Sequence, residues 1–291
     1  MFAEFLQFLF SGITVGAIYA LVGLGFSIIY NASRIINFAQ GEFVMIGGMA
    51  TVYLLGVGLS MPLAVGLAVL ITVGVGLALE KFAVEPARDA SIVTLIIITI
   101  GASIFLRGAA QVLWGRNFHS LASISGNDPI IIGGAAMLPQ SLWILGATIL
   151  IIVGLRWFFN HTRTGKAMLA TSYNPLVARL VGVNTRFILL LSFGLAAMLG
   201  SVAGILVAPI SLTYPGVGVM LGLKGFCAAI LGGIGNPMGA IAGGLIVGLS
   251  EAMTAGYISS AYKDAVAFII ILLVLFFIPS GLFGARETER V

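Results

Sequence analysis

Four ionisable side chains lie inside long apolar stretches of this 291-residue chain, namely Glu42, Arg107, Lys224 and Glu251. A charge at the centre of a membrane-spanning helix costs about 2.5–3.5 kcal/mol on insertion scales, so such residues normally face a partner or a wet cavity. One interpretation is a polar pathway for a small zwitterionic or amide solute. The other is that Glu42 and Lys224 pair with intramembrane polar groups and hold helices together, while Glu251 lies at the membrane interface. Arg107 precedes Trp114 by seven residues, and we expect its side chain to extend to the membrane surface.

Small and polar residues accompany these charges, and they define our candidate pathway. Glycines at 41, 47, 216 and 222 would let the backbone approach a solute closely. The predicted pathway residues are Asn37, Gln40, Gly41, Glu42, Tyr214, Lys224 and Glu251.

The residues that most enzymes require are scarce in this sequence. It has two His and one Cys, which is too few for a metal cluster, and we expect neither a metal nor a cofactor in this chain. It also lacks the G-x-x-x-x-G-K-[ST] phosphate loop, since Gly165-Lys166 is followed by Ala167. We therefore expect a transport protein rather than an enzyme, without a nucleic-acid partner. Any ATP-driven step would need an ATPase in another subunit.

The composition is that of a protein embedded in lipid. Hydrophobic residues make up 60% of the chain and charged residues 8%, against about 25% charged in typical soluble domains. A helix that crosses about 30 Å of hydrocarbon needs about 20 apolar residues. We predict an all-α polytopic integral membrane protein with about eight or nine transmembrane helices, forming a single domain over 1–291. The candidate spans are 8–30, 37–57, 62–79, 91–113, 140–158, 187–208, 212–234, 237–256 and 264–280.

The distribution of Lys and Arg predicts the orientation. With the N-terminus outside and nine crossings, ten of the 14 cations lie on the cytoplasmic side and two on the outer side. This is the bias that the positive-inside rule requires. The Gly-rich segment 212–234 is the doubtful crossing, either a full span or a re-entrant one. Without it, Arg286 and Arg290 would lie outside, so we predict the N-terminus outside and the C-terminus in the cytoplasm.

A weak internal repeat runs through the chain. The Gly-rich stretch 37–48 precedes Pro62 by about the same distance as the stretch 214–222 precedes Pro237. In the nine-span arrangement the two copies enter the membrane from opposite sides. Inverted repeats with Gly-interrupted helices are typical of transporters whose pathway follows the repeat interface, although Gly-spaced helices also pack closely for structural reasons alone.

The segment 160–186 is too polar to cross lipid. The stretch from Arg156 to Arg186 carries five cations and no acid, and four of these cations lie within 160–186. Its sequence predicts a short helix, a turn and a second short helix that begins at Pro175. We predict that it is a cytoplasmic coupling segment on which a partner docks, rather than a positive anchor alone. The proposed coupling residues are Gly165, Lys166, Ala170, Asn174, Pro175, Ala178 and Gly182.

Three motifs in order resemble one known family: Ile36-Asn37-Phe38-Ala39-Gln40-Gly41-Glu42-Phe43, the segment 165–184, and Ala229-Ile230-Leu231-Gly232-Gly233-Ile234-Gly235-Asn236-Pro237-Met238-Gly239-Ala240. Together they are similar to the permease subunits of ATP-binding-cassette importers for branched-chain amino acids, in particular the H-type half of the permease pair. The resemblance covers about 8–284. Many relatives have His where this chain has Gln40.

The resemblance implies a set of partners in the bacterial inner membrane. These are a second homologous permease in a heterodimer (a homodimer is also possible), two cytoplasmic ATPase subunits that bind ATP and Mg²⁺, and a periplasmic solute-binding protein. It also implies that 165–182 fits a groove on an ATPase subunit. Three alternatives remain open at this point: a permease of the same family for urea, short amides or aromatic acids, an ion-coupled secondary transporter, and a passive channel.

Overall fold

The computed structural model describes residues 2–284, and Arg286 and Arg290, which entered the orientation count, lie outside the described residues. The described chain is almost entirely helical, as predicted. Its helices are α1 (Phe2–Ser33), α2 (Gln40–Gly56), α3 (Met61–Leu79), α4 (Ile92–Trp114), α5 (Pro139–His161), α6 (Arg163–Tyr173), α7 (Pro175–Leu180), α8 (Thr185–Val207), α9 (Val217–Gly232), α10 (Pro237–Tyr257) and α11 (Lys263–Phe277). A π-helical turn and a 3₁₀ turn, Glu80–Val84 and Glu85–Ala87, continue α3, and a second 3₁₀ turn, Ser260–Tyr262, precedes α11.

A short antiparallel hairpin, β1 (Ile130–Ile132) and β2 (Ala135–Met137), marks one end of the helix bundle, which we call the hairpin end. Helices α6 and α7 mark the other, the α7 end. Helix α1 extends from the hairpin end to the α7 end, because it packs against both β2 and α6.

Within the described residues, nine helices alternate between these two ends, in agreement with the upper predicted count. The doubtful segment 212–234 is one of them. It begins at the hairpin end, where Thr213 pairs through its backbone with His119. It finishes at the α7 end, where the backbone carbonyl of Gly232 accepts from the N–H of Phe283 at 3.0 Å.

Among the described residues, seven helices are long and apolar enough to span a membrane by themselves, and α11, with 15 residues, is one of them because the 3₁₀ turn before it extends it to 18. The two that fall short are α2 and α9. Helices α2 and α9 have 17 and 16 residues, or about 25 Å at 1.5 Å per residue, against about 30 Å of hydrocarbon. Helix α2 begins well inside the bundle, since a methyl group added at Gly25 of α1 would overlap the side chain of Gln40.

The packing repeats with opposite direction in the two halves of the chain. Helix α1 packs on α9 and α10, and its counterpart α8 packs on α2 and α3. In the same way, α2 contacts α4 and its counterpart α9 contacts α11. Helices α2 and α9 contact each other where the two halves meet. Helices α2 and α9 run in opposite directions between the two ends. This arrangement is the one that an inverted repeat of α1–α4 and α8–α11 predicts.

Small residues bring the central helices together. Along α1 and α10, a methyl group at Gly16 would overlap the backbone of Gly244, and one at Gly248 would overlap Gly16. Such close backbone approach is the usual way in which helices associate in lipid, where apolar burial contributes little between them. Helix α1 is consequently buried over most of its length and forms the axis of the bundle.

Candidate functional site

Glu42 of α2 forms a buried ion pair with Arg107 of α4. Its Oε1 accepts from Arg107 Nη2 at 2.8 Å and from Ser103 Oγ at 2.8 Å. Only 1% of Glu42 is exposed, so an opposite charge in direct contact is needed to hold the carboxylate there. The expectation that Arg107 extends to the membrane surface is therefore wrong. Ser103 and Arg107 lie one turn apart on α4, which is why they meet the same carboxylate.

A cavity of about 170 Å³ lies beside this ion pair, between α1, α2, α4 and α9. It is open on the side of Ile100 and Ile104, both of which are exposed on α4. The second carboxylate oxygen of Glu42, Oε2, is buried and has no hydrogen-bond partner among the described residues. The cavity is lined by Phe26, Phe38, Gly41, Glu42, Ile100, Ser103, Ile104, Arg107, Gly218, Val219, Gly222, Leu223 and Phe226.

Three phenylalanines form the apolar wall of this cavity. The ring of Phe226 lies 5.5 Å from that of Phe26 and 5.7 Å from that of Phe38, centroid to centroid. The backbone N–H of Phe38 donates to Thr99 Oγ1 at 3.2 Å, which fixes the segment that leads into α2 against α4. The cavity therefore has an ionic side and an aromatic side.

The structure places two other predicted pathway residues at the start of α2 but not on the cavity wall. Asn37 Oδ1 accepts from the N–H of Ala39 at 3.1 Å and stabilises the turn before α2. Gln40 Nε2 donates to the carbonyl of Ala196 at 3.0 Å and ties α2 to α8. Gly41 and Glu42, in contrast, both line the cavity.

Lys224 and Glu251 belong to a separate buried cluster. Lys224 Nζ donates to Glu251 Oε1 at 2.7 Å and to Asp264 Oδ1 at 2.6 Å. Tyr19 Oη donates to Glu251 Oε2 at 2.7 Å. This cluster joins α1, α9, α10 and α11, and none of its members lines the cavity beside Glu42.

Tyr214 lies at the hairpin end, ahead of α9. Its ring packs against Phe118 with the centroids 4.7 Å apart. The structure thus brings together Gly41 and Glu42 of the predicted pathway set, and places Tyr214 and the Lys224–Glu251 cluster elsewhere.

The predicted coupling segment, 160–186, folds as the expected helix, turn and helix. Thr162 Oγ1 accepts from the N–H of Gly165 and caps α6. Asn174 Oδ1 accepts from the N–H groups of Leu176 and Val177 and caps α7. Gly182 ends α7 with φ +89°, a conformation that glycine adopts without a steric penalty. These local caps explain why the pattern could be read from the sequence.

Helix α7 presents apolar side chains outside the bundle. Leu180 is 80% exposed and Tyr173, at the end of α6, is 86% exposed. We call this set the α7 face: Tyr173, Leu176, Val177, Leu180 and Val181. The predicted coupling residues Lys166, Ala170, Asn174, Pro175 and Gly182 are exposed around it.

Gly165 and Ala178, also predicted as coupling residues, are buried. A methyl group at Gly165 would overlap the backbone of Phe158 and Phe159, so glycine is needed where α6 folds back on α5. These two residues position the α7 face without forming part of its surface.

One hydrogen bond links the coupling segment to the segment before α2. Arg34 Nη2 donates to the carbonyl of Ser172, in the last turn of α6, at 2.7 Å. Arg34 has φ +59°, an uncommon conformation for a residue with a side chain. Arg34, Ser103, Asp264 and the three phenylalanines are not among the site residues predicted from the sequence. For Asp264, the first residue of the predicted span 264–280, the charge itself was the available signal.

The sequence matches a known family over most of its length. Residues 8–275 match the family described as branched-chain amino acid transport system, permease component. The chain is 35% identical to the high-affinity branched-chain amino acid transport system permease protein LivH of Salmonella typhimurium, over 100% of this chain and 99% of the relative. It is 34% identical to LivH of Escherichia coli K12 with the same coverage, and 34% identical to BraD of Pseudomonas aeruginosa over 99% of this chain and 98% of the relative. The resemblance drawn from the three motifs is confirmed, and the chain belongs to the family of permease components of branched-chain amino acid transport systems.

Proposed function

We propose that this chain is a membrane-spanning subunit of an ATP-driven importer that moves branched-chain amino acids, or related small amino acids and amides, across the bacterial inner membrane. A periplasmic binding protein delivers the solute, and separate ATPase subunits supply the energy. The hairpin end faces the periplasm and the α7 end the cytoplasm, with the N-terminus outside and the C-terminus inside.

The observation that carries the proposal is the α7 face. Tyr173 and Leu180 expose large apolar surfaces on a capped element that projects from the bundle, and the flanking Lys166 and Arg179 are exposed cations. Apolar surface of this kind outside the membrane marks a site of protein association. Because the sequence contains no nucleotide-binding loop of its own, an ATPase subunit is the partner that this surface fits.

A physical route leads from the α7 face to the cavity. Helix α6 ends at Tyr173, and the carbonyl of Ser172 is held by Arg34. Arg34 opens the short segment 34–39, which leads directly into the first turn of α2 and Glu42. Displacement of α6 by a closing ATPase pair would therefore move the first turn of α2 and change access to the cavity.

The opening of the cavity also supports the presence of a second permease subunit. It opens between α4 and α9, where the Arg107 side chain is 30% exposed. A partly exposed guanidinium facing hydrocarbon is costly, so a protein surface rather than lipid should cover this opening. A related permease would do so in a heterodimer, and a second copy of this chain in a homodimer.

Reconstitution tests the proposal. The chain would be purified with its partner permease and ATPases, placed in liposomes, and supplied with the binding protein and labelled leucine. We expect uptake that requires ATP and the binding protein, and no ATP hydrolysis by this chain alone. Uptake by the chain alone, driven by an ion gradient or without any energy source, would contradict the proposal, while ATP-driven uptake of urea or aromatic acids but not leucine would correct the solute.

A further inference from the structure

We propose that the cavity beside Glu42 is a transient binding site for a zwitterionic amino acid with an apolar side chain, in which Glu42 receives the ammonium group and Arg107 the carboxylate. This inference rests on the proposed function and adds the residues that recognise the solute on its way through the membrane.

The first argument is the unused hydrogen-bonding capacity of the ion pair. Glu42 Oε1 is occupied by Arg107 and Ser103, but Oε2 has no partner among the described residues although it is buried. Arg107 Nε also has no acceptor there. A buried charged oxygen without a partner is unfavourable, and an ammonium group is a donor that would satisfy it.

The second argument is the charge balance of the cavity. Its lining contains one acid and one cation, Glu42 and Arg107, so the site is neutral overall. A zwitterion placed between the two leaves no uncompensated charge. A carboxylic acid without an amine, or an amine without a carboxylate, would leave one buried charge unpaired, which is strongly unfavourable in a low-dielectric site.

The third argument is the shape of the remaining wall. Beyond the ion pair and Ser103, which donates to Glu42, the lining consists of glycine and apolar residues, with Phe38 and Phe226 forming a continuous aromatic surface. A volume of about 170 Å³ suits one small apolar side chain. Gly41 and Gly222 leave the backbone close to the solute. The cavity thus combines a zwitterion-binding side and an apolar side in one space.

The second buried ion pair supplies a matched control. Lys224 bonds both Glu251 and Asp264, and Glu251 also accepts from Tyr19, so both Glu251 oxygens are used. Lys224 and Glu251 are also buried, whereas the Asp264 side chain is 46% exposed, and the cluster lies outside the cavity lining. Neutralising Glu251 should change stability without changing solute recognition.

The experiment uses the complete reconstituted importer and three variants of this chain. These are the single variant Glu42→Gln, the double variant that combines Glu42→Gln with Arg107→Gln, and the control Glu251→Gln. Uptake of leucine is measured with saturating binding protein, together with the melting temperature of each complex. We expect Glu42→Gln to lower leucine uptake about tenfold or more, the loss typical of a charged hydrogen bond. The double variant keeps an amide–amide contact, and we expect it to stay folded yet remain defective. Glu251→Gln should keep the dependence of uptake on leucine concentration.

A second measurement does not depend on any variant folding. A photoreactive leucine is crosslinked to the unaltered importer during turnover, and the labelled peptides are mapped. Labelling at Phe38, Ile104 or Phe226 supports the site. Labelling confined to other residues, or a folded double variant with unaltered leucine uptake, overturns the inference while leaving the importer function intact. An unaltered importer that moves urea but no zwitterion would overturn the inference together with the proposed solute.

Discussion

Gly41 and Gly218 contact each other reciprocally where the first turns of α2 and α9 cross. A methyl group on Gly41 would overlap the carbonyl oxygen of Gly218, and one on Gly218 would overlap the carbonyl oxygen of Gly41. Mutual contacts of this kind are what a two-fold relation between two helices produces. This reciprocity is what an inverted repeat that relates α2 to α9 predicts, and it lies at the edge of the cavity beside Glu42, whose lining includes both glycines.

We expect Gly41→Ala and Gly218→Ala each to lower the stability of the protein. The added methyl group meets backbone that cannot rotate away, and overpacking of a close contact typically costs about 1–3 kcal/mol. The measurement is thermal unfolding of the detergent-solubilised protein, followed by size-exclusion fluorescence. Gly108→Ala is the matched control, because a methyl group at Gly108 of α4 meets nothing within 4 Å. Equal melting temperatures for all three variants would contradict this account of the crossing.

The Lys224 cluster should respond unequally to the loss of its members. Lys224→Met leaves Glu251 and Asp264 without their cation, and breaking a buried ion pair by removing one partner costs about 3–5 kcal/mol. Glu251→Gln leaves Asp264 to pair with Lys224 and keeps an acceptor for Tyr19. We therefore expect a much larger fall in melting temperature for Lys224→Met than for Glu251→Gln. The reverse order would show that this cluster does not stabilise the bundle as described.

Substitutions on the α7 face should weaken the complex without unfolding the permease. Leu176→Ser combined with Leu180→Ser removes exposed apolar surface that the proposal assigns to the ATPase. We expect less ATPase to co-purify with the double variant while its own melting temperature stays unchanged. Ile131→Ser, a 74% exposed residue at the hairpin end, is the control and should retain the ATPase. Full retention of the ATPase by the double variant would assign docking to another surface.

We expect Arg34 to be needed for transmitting movement from α6 to α2, but not for binding of the ATPase subunits. Arg34→Gly keeps the backbone favourable at φ +59° and removes the bond to the Ser172 carbonyl together with the contact between the guanidinium and the Tyr30 ring. We expect the variant to bind its ATPases normally but to lose most leucine uptake, because α6 no longer moves the segment that precedes α2. Arg163→Ala, which removes an exposed cation at the start of α6, is the control. Normal uptake by Arg34→Gly would exclude this route.

The coupling segment shows how far local sequence can be read. Its two helices depend on caps made by Thr162 and Asn174 and on the positive φ of Gly182, all of which act within a few residues. The sequence therefore predicted the helix, turn and helix correctly. It could not predict that Gly165 and Ala178 are buried, since that depends on how α6 folds back against its neighbours.

Arg107 is a residue whose partner could not be predicted from the local sequence. Its distance from Trp114 suggested a side chain that extends to the membrane surface, whereas the structure pairs it with Glu42, which lies 65 residues earlier in the chain. The same holds for Lys224 and Asp264, which are 40 residues apart. The sequence identified the charges that need partners, but it did not determine which residues are those partners.

Composition, span length and cap chemistry by themselves determined that this chain is a helical membrane protein with about eight or nine spans and a helix, turn and helix over 160–186, and three motifs placed it in its family. Only the tertiary structure decided which charges pair, that Glu42 and not Lys224 lines the cavity between α1, α2, α4 and α9, and that Arg34 joins α6 to the segment before α2. The physical reason is that helices in lipid are apolar on every face, so their periodicity does not distinguish a face that packs on protein from one that contacts hydrocarbon.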